Sequence, residues 1–327
     1  MKNKIRVGLY GSNGHQIHSK LHSHSKAELA AMCGVSEAFS EYIKENFPQP
    51  ITVYGSLEEM LRDKSLTVIS ICSPRRIDQE EDIIACLRAG KHVYAEKPAV
   101  LSERALERVL AVSKESGCEF HEMADTVFDE PYWTMRRLVQ SGKIGEVVQV
   151  YIQKSYPMHP DTRPQDETTD GGLIRWAGIH GIRFLEHITG LRVRAVSAYQ
   201  TRLGAPRPDG MFTAASLSMT LENGGVASAC FNYLNPDGFG RWGNESVRIF
   251  GDRGMIEVTD GKRRSHLYTQ EQDEGELDIT GSDCRDYFDW LIDHLHSGSP
   301  MPMSQEEELH PLRTVLRAWE NAVEIQI

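Results

Sequence analysis

Up to residue 120 the chain alternates short apolar runs with amphipathic helical patterns, and this rhythm constrains the fold more than any other feature. "IRVGLYG" reads as a buried strand, followed by a turn and the helix candidate "HQIHSKLHS". "AELAAMC" is a second strand, and "SEAFSEYIKENF" is an amphipathic helix with a serine start signal. "LTVISICS" is an apolar run of strand length. "DQEEDIIACLRAG" then carries acids in its first turn and glycine at its end, and "HVYAE" and "SERALERVLAVSKESG" continue as strand and helix. Strand–helix–strand units of this kind connect by right-handed crossovers into a parallel sheet. The expectation for residues 1–124 is an α/β domain, a doubly wound parallel sheet of the Rossmann type.

Near residue 125 the rhythm changes. A helix-like "EPYWTMRRLVQSG" leads into the alternating strand "EVVQVYIQKSY", and "GGLIRWAGIHGIRFLEHITG" reads as one helix. The strands "VRAVSAYQTR", "FTAASLSMTLE", "GVASACFNYL", "ESVRIFG" and "MIEVT" follow without interleaved helices, with turn signals at "ENGG", "GDRG" and "TDGK". That order predicts an α+β domain with an open, mainly antiparallel sheet over 125–327. Its two closing helices, in "CRDYFDWLIDHLHSG" and "EEELHPLRTVLRAWENAV", can pack back on the first domain.

Charge and cysteine usage narrow the partners. The 36 lysines and arginines stand against 47 acids, a net charge of -11, with no basic run to meet a phosphate backbone. Nucleic acid is therefore not expected as a partner. The six cysteines are scattered without a CxxC pair, which suits a reducing, cytoplasmic setting. The apolar stretch of "MKNKIRVGLYGSNG" is too short for a signal peptide, and no run reaches the length of a membrane span.

The turn after the first strand, "GSNGHQ", comprises Gly11, Ser12, Asn13, Gly14, His15 and Gln16. A dinucleotide fingerprint would read G-x-G-x-x-G there, so that backbone and helix N-terminus can approach a pyrophosphate. Gly11 keeps the first role, Asn13 stands at the second glycine and Gln16 at the third. The match is partial, and an ordinary strand-to-helix turn is the competing reading. The acid that would hold the ribose hydroxyls is replaced by Gly34. Its absence weakens NAD binding and removes repulsion of a 2′-phosphate, so NAD and NADP both stay open. Arg75 and Arg76 are the nearest candidates to meet such a phosphate. His15, His18 and His22 fall at helical spacing, but one helix rarely closes a metal shell, and no metal is expected.

"ACLRAGKHVYAEKPAVL" (85–101) resembles the Gfo/Idh/MocA family, in which "AGKHV" leads into the signature "EKP". "GKIGEVVQV", "GGLIRWAGIH", "LENGGVAS", "IFGDRGMIEV" and the segment from Asp286 to Val323 resemble further landmarks of that family in the same order. The resemblance implies an NAD(P)-dependent oxidoreductase acting on a sugar, polyol or related hydroxy/keto compound where its two domains meet. It implies that Lys97 is the catalytic lysine, with Glu96 beside it on the nicotinamide side, and that His180 is the histidine of the second-domain helix. A buried lysine has its pKa lowered by desolvation toward working pH, which suits a proton partner for a carbinol. With the turn at 11–16 and Gly34, the cofactor set includes Ser73, Pro74, Arg75, Glu96 and Lys97; the substrate set is Lys97, Asp125, Trp176 and His180.

Departures cluster on those contacts. Trp176 stands where the family has an aspartate, and "SPRRID" replaces "TPN…H", with Arg75 and Asp78 at the asparagine and histidine places. A catalytically silent member binding nucleotide or sugar as a sensor or partner protein is the rival reading. "PMHPDTRPQDETTDGG" (157–172) fits a loop near the active site or a plain surface loop. Finally, "FTAASLSMTLE" carries apolar or small residues on both parities: Phe212, Ala214, Ser216 and Ser218 on one, Ala215, Leu217, Met219 and Leu221 on the other. That pattern predicts a homodimer or homotetramer built through about residues 193–260.

Overall fold

Six short strands make the first sheet: β1 (Ile5–Tyr10), β2 (Ala27–Cys33), β3 (Thr52–Tyr54), β4 (Val68–Ile71), β5 (His92–Ala95) and β6 (Phe120–Glu122). All pair in parallel, in the order β3-β2-β1-β4-β5-β6. The helices between them are α1 (His18–Leu21), α2 (Glu37–Asn46), α3 (Leu57–Leu61), α4 (Gln79–Arg88) and α5 (Glu103–Ser116). Ser36, Ser56 and Ser102 open α2, α3 and α5, each accepting a backbone N–H three residues on at 3.1–3.2 Å. β4 is buried along its whole length, as a central parallel strand must be. The short β3, α3 and β6 carry too few apolar residues to stand out in sequence.

The computed structural model describes residues 4–123, 125–159, 161, 163–207 and 209–325; Pro160 and Thr162 of the 157–172 loop lie outside the described residues. The chain divides into two compact units. The first comprises Met1–Ala124, Thr168–Asp170 and Tyr287–Gln305; the second comprises Asp125–Glu167, Gly171–Asp286 and Glu306–Ile327.

The second unit holds α6 (Tyr132–Gln140) and a nine-stranded sheet: β7 (Val147–Ser155), β8 (Val193–Thr201), β9 (Ala214–Leu221), β10 (Val226–Asn232), β11 (Asn244–Gly251), β12 (Gly254–Thr259), β13 (Arg264–Thr269), β14 (Asp273–Gly275) and β15 (Val323–Glu324). The order is β14-β13-β12-β11-β7-β10-β9-β8-β15, antiparallel except for the β7–β10 and β8–β15 pairs. The sheet is thus mixed, though mainly antiparallel. The glycine-rich helix expected over 171–190 is two helices, with α7 (Glu167–Asp170) before them: α8 (Gly172–Trp176) and α9 (Gly178–Thr189). Ala177 between them keeps right-handed helical angles (φ -88, ψ -40), so Trp176 and His180 remain one turn apart. A Cβ at Gly181 would lie 2.5 Å from the Phe231 ring, which shows how closely α9 lies on β10. The closing helices are α10 (Tyr287–Ser297) and α11 (Gln305–Glu320). α10 belongs to the first unit, through Lys26–Asp293 (2.5 Å) and His24–Asp289 (3.1 Å).

The structure corrects the expectation that β9 is apolar on both faces. Ala215, Leu217, Met219 and Leu221 are buried in the unit's own core, whereas Ser216, Ser218 and Thr220 are exposed. Serine and threonine fit a solvated strand face, so this is ordinary in/out alternation with small polar residues outside. Leu217 and Met219 are therefore core residues of the single chain rather than subunit contacts.

Candidate functional site

The 11–16 turn sits at the C-terminal end of β1. Next to it, at the end of the neighbouring β4, lies the 73–76 turn; here the strand order reverses, the point at which doubly wound sheets bind dinucleotides. Gly11 has φ +70, and a Cβ there would come within 2.0 Å of the Cys72 carbonyl oxygen. Only glycine fits. Asn13 donates its side-chain amide to the carbonyls of Pro74 (3.1 Å) and Thr169 (2.7 Å). Gly14 has φ +124, and a Cβ there would meet Glu96 Cγ at 2.6 Å. Gln16 is buried, donates to the Tyr10 and Gly11 carbonyls (3.1 and 2.9 Å) and accepts from Ser70 Oγ (2.9 Å). At the third-glycine place it ties the turn to β1 and β4. The helix that follows, α1, has only four residues, far less than "HQIHSKLHS" predicts. His15, at its approach, lies on Glu96, while His18 packs edge-on to Phe39 and His22 to Phe47.

The Glu96–Lys97 pair is no solvated loop. Glu96 is 0% exposed and Lys97 2%. The Glu96 carboxylate accepts the His15 backbone N–H (3.1 Å) and faces His15 Nδ1 (3.0 Å). Burial by itself would push this carboxyl up. The bond to His15 and the neighbouring charge of Lys97 prevail, with Arg76 contributing, and hold it down to about 2. Buried Gln79 fixes the turn from below by donating to the carbonyls of Glu96 (2.8 Å) and Ala99 (3.1 Å).

On the second turn, Ser73 is buried and donates Oγ to Asp82 (2.6 Å), and Pro74 contributes the carbonyl bound by Asn13. Arg75 is exposed and donates to Thr168 Oγ1 (2.9 Å). Arg76 is 1% exposed and donates to the Asn13 carbonyl (2.8 Å) and to Gln79. It stiffens the turn from inside, which corrects the expectation that it could meet a 2′-phosphate. Gly34 has φ +66 and its Cβ would lie 3.0 Å from the Tyr10 ring, so the missing acid has a steric reason. The left-handed, Cβ-excluding glycines and the switch-point position fit a dinucleotide. Gly11, Ser12, Asn13 and Gly14 would hold its pyrophosphate side, and Arg75, Glu96 and Lys97 would lie along it.

In the second unit, His180 Nδ1 pairs with Thr126 Oγ1 at 2.8 Å, within the 3-10 turn Asp125–Val127. Trp176 packs edge-on to Tyr156 (4.9 Å) and tilted to Tyr233 (6.3 Å), and the Arg163 guanidinium lies over Tyr233 (4.0 Å) and Trp176 (4.8 Å). Trp176, His180 and Asp125 are marked by the sequence pattern, whereas Tyr156, Arg163, Tyr233, Lys154 and Glu245 are not. One signal was available: Lys154 interrupts the inward parity of β7 that Val150 and Ile152 begin.

Residues 5–123 match the family model described as oxidoreductase family, NAD-binding Rossmann fold, and residues 132–257 match the one described as GFO/IDH/MocA C-terminal domain. The scyllo-inositol 2-dehydrogenase (NADP(+)) of Bacillus subtilis is 23% identical over 98% of this chain and 94% of its own length. Among solved structures, the aldose–aldose oxidoreductase of Caulobacter crescentus, complexed with glycerol, superposes with a TM-score of 0.81 at 17% identity, covering 98% of this chain and 97% of that one. Biliverdin reductase of Synechocystis, in complex with biliverdin and NADP+, gives 0.78 at 20% identity, covering 97% and 99%. These two likenesses are of fold.

Proposed function

This chain belongs to the Gfo/Idh/MocA family of oxidoreductases, with an NAD-binding Rossmann domain, and from that premise we propose that it oxidises a secondary alcohol of a cyclic polyol or sugar. NAD or NADP, when bound, supplies the hydride acceptor. Lys97 takes the hydroxyl proton as the carbon loses its hydride, so that C–OH becomes C=O and the proton rests on the lysine amine. Glu96 stays ionised at neutral pH and steadies that protonated amine. His180, anchored through Nδ1 to Thr126, orients the reacting oxygen. Trp176 supplies an apolar wall where the family has an aspartate, with Asp125 on the substrate side.

The observation that carries this reading is the buried Lys97 beside a wholly buried, ionised Glu96 at the mouth of β5. No observation favours a catalytically silent role. The open sheet face of Ser216, Ser218 and Ser228 is the surface we assign to a homodimer or homotetramer within residues 193–260. Among the described residues, no helix is long and apolar enough to cross a membrane; the buried free thiols of Cys33, Cys72, Cys86 and Cys118 suit a reducing cytoplasm.

The test is formation of reduced nicotinamide from NAD+ and from NADP+ with myo-inositol, scyllo-inositol and glucose, alongside fluorescence titration of NADH and NADPH. Turnover of at least one is expected. Tight cofactor binding with no turnover of any would instead support the silent role.

A further inference from the structure

Lys154 lies near the end of β7 on the covered side of the sheet, where a strand facing a core should carry apolar residues. Its side chain is 10% exposed, as is that of its cross-strand neighbour Glu245, whose carboxylate lies 3.3 Å from Nζ. The ammonium sits 5.3 Å from the Tyr156 ring and 5.8 Å from that of Phe184. An ammonium has three N–H donors, and Glu245 is the one polar partner of this ammonium among the described residues. Nearby, the Tyr132 ring packs on Phe184 at 4.4 Å. Tyr132 is 0% exposed, and its hydroxyl has no hydrogen-bonding partner among the described residues. Burial first, and then the charge of Glu245, raise the phenols of both Tyr132 and Tyr156, so one carboxylate acts on the whole group.

A buried donor left unfilled is costly, and the Tyr132 hydroxyl in the field of Glu245 calls for an oxygen that the protein does not supply. The cluster adjoins the helix proposed to face the substrate. Phe184 follows His180 by four residues, on the same face of α9, and Tyr156 carries Trp176 on its edge at 4.9 Å.

We propose that Lys154, Tyr132 and Glu245 form a subsite for a substrate hydroxyl other than the one oxidised. That hydroxyl accepts from Lys154 and Tyr132 and donates to Glu245. A carboxylate or phosphate would meet Glu245 head on, and a methylene would leave the Tyr132 hydroxyl unfilled and Lys154 with Glu245 as its one polar partner among the described residues. The subsite therefore selects neutral, hydroxyl-rich rings over acids and deoxy sugars. This inference rests on the reading that the chain oxidises a polyol.

The test is steady-state kinetics of the full chain on whichever of myo-inositol, scyllo-inositol and glucose it turns over, and on the monodeoxy analogues of that compound, with thermal unfolding measured in parallel. The wild type should reject one deoxy analogue by about 100-fold or more in kcat/KM. Tyr132→Phe removes only an oxygen without a protein partner, so its Tm should hold or rise. Its kcat/KM should drop by about 10-fold for the parent compound and not for that one analogue. Lys154→Met combined with Glu245→Gln, which avoids stranding a buried carboxylate, should abolish the discrimination. Equal losses on the parent and every analogue, or full discrimination in Tyr132→Phe, would overturn the subsite while leaving the reaction intact. No turnover of any of the three compounds by the wild type would overturn the reading of the reaction, and the subsite with it.

Discussion

Replacing Glu96 by glutamine keeps the side chain's shape and an acceptor oxygen for the His15 N–H, but deletes a charge that the fold has made unusually acidic. The carboxyl stands at about 2 against an ordinary 4.5, although burial opposes this. A displacement of that size corresponds to about 3 kcal/mol of stability at neutral pH. Because the folded pKa is the depressed one, this stabilisation is complete above about pH 4.5 and is lost as pH falls toward 2. Glu96→Gln also removes a carboxylate charge that Lys97, 2% exposed, interacts with. The variant should therefore unfold about 3 kcal/mol more easily at pH 7, with the gap to wild type closing below pH 4.5. Urea denaturation followed by circular dichroism at a series of pH values measures this. A gap under about 1 kcal/mol at pH 7, or one that widens with acid, would refute the assignment of Glu96 as a buried anion held by His15 and Lys97.

Gly11→Ala should weaken cofactor binding severely and cost about 2 kcal/mol or more, because its Cβ would meet the Cys72 carbonyl at 2.0 Å in a left-handed backbone; titration and thermal unfolding read both effects. Gly34→Asp should lower Tm while improving NAD over NADP only modestly, since φ +66 and the Tyr10 ring strain the new side chain; paired titrations of NADH and NADPH decide it. If the proposed homo-oligomer forms through the open sheet face, Ser218→Arg should bring the mass in light scattering down to that of one chain with little change in Tm, whereas Leu217→Glu should unfold the unit, because Leu217 is 2% exposed.

What was legible followed from local rules. The strands around Val7, Leu29, Ile69 and Val93 are buried on both sides, so their apolar runs and the serine and glycine punctuation of the helices carried the first sheet and its order of elements. β9 misled because alanine and serine fit either a core or a solvated face, and only the three-dimensional register separates Leu217 from Ser218. The single helix expected over 171–190 broke at Ala177 in a way that composition does not signal. Of the site, Glu96 and Lys97 were visible as charges set where a buried strand ends. The fate of Arg76, turned inward onto Asn13, was not visible, since an arginine after a strand reads the same whether it faces solvent or braces a turn. Lys154 and Glu245 come from strands far apart in sequence, and pairwise register alone joins them.

Whether Lys97 is the proton partner of the proposed reaction is decided by Lys97→Met, which keeps the side chain's length and suits its 2% exposure. Reduction of NAD+ or NADP+ by a polyol that the wild type oxidises should be compared between the two proteins, with cofactor affinity measured on the same samples. Cofactor affinity within a few-fold of wild type and kcat reduced by about 100-fold or more, across the pH range, are expected of Lys97→Met. A variant that binds cofactor and retains wild-type kcat would contradict that role.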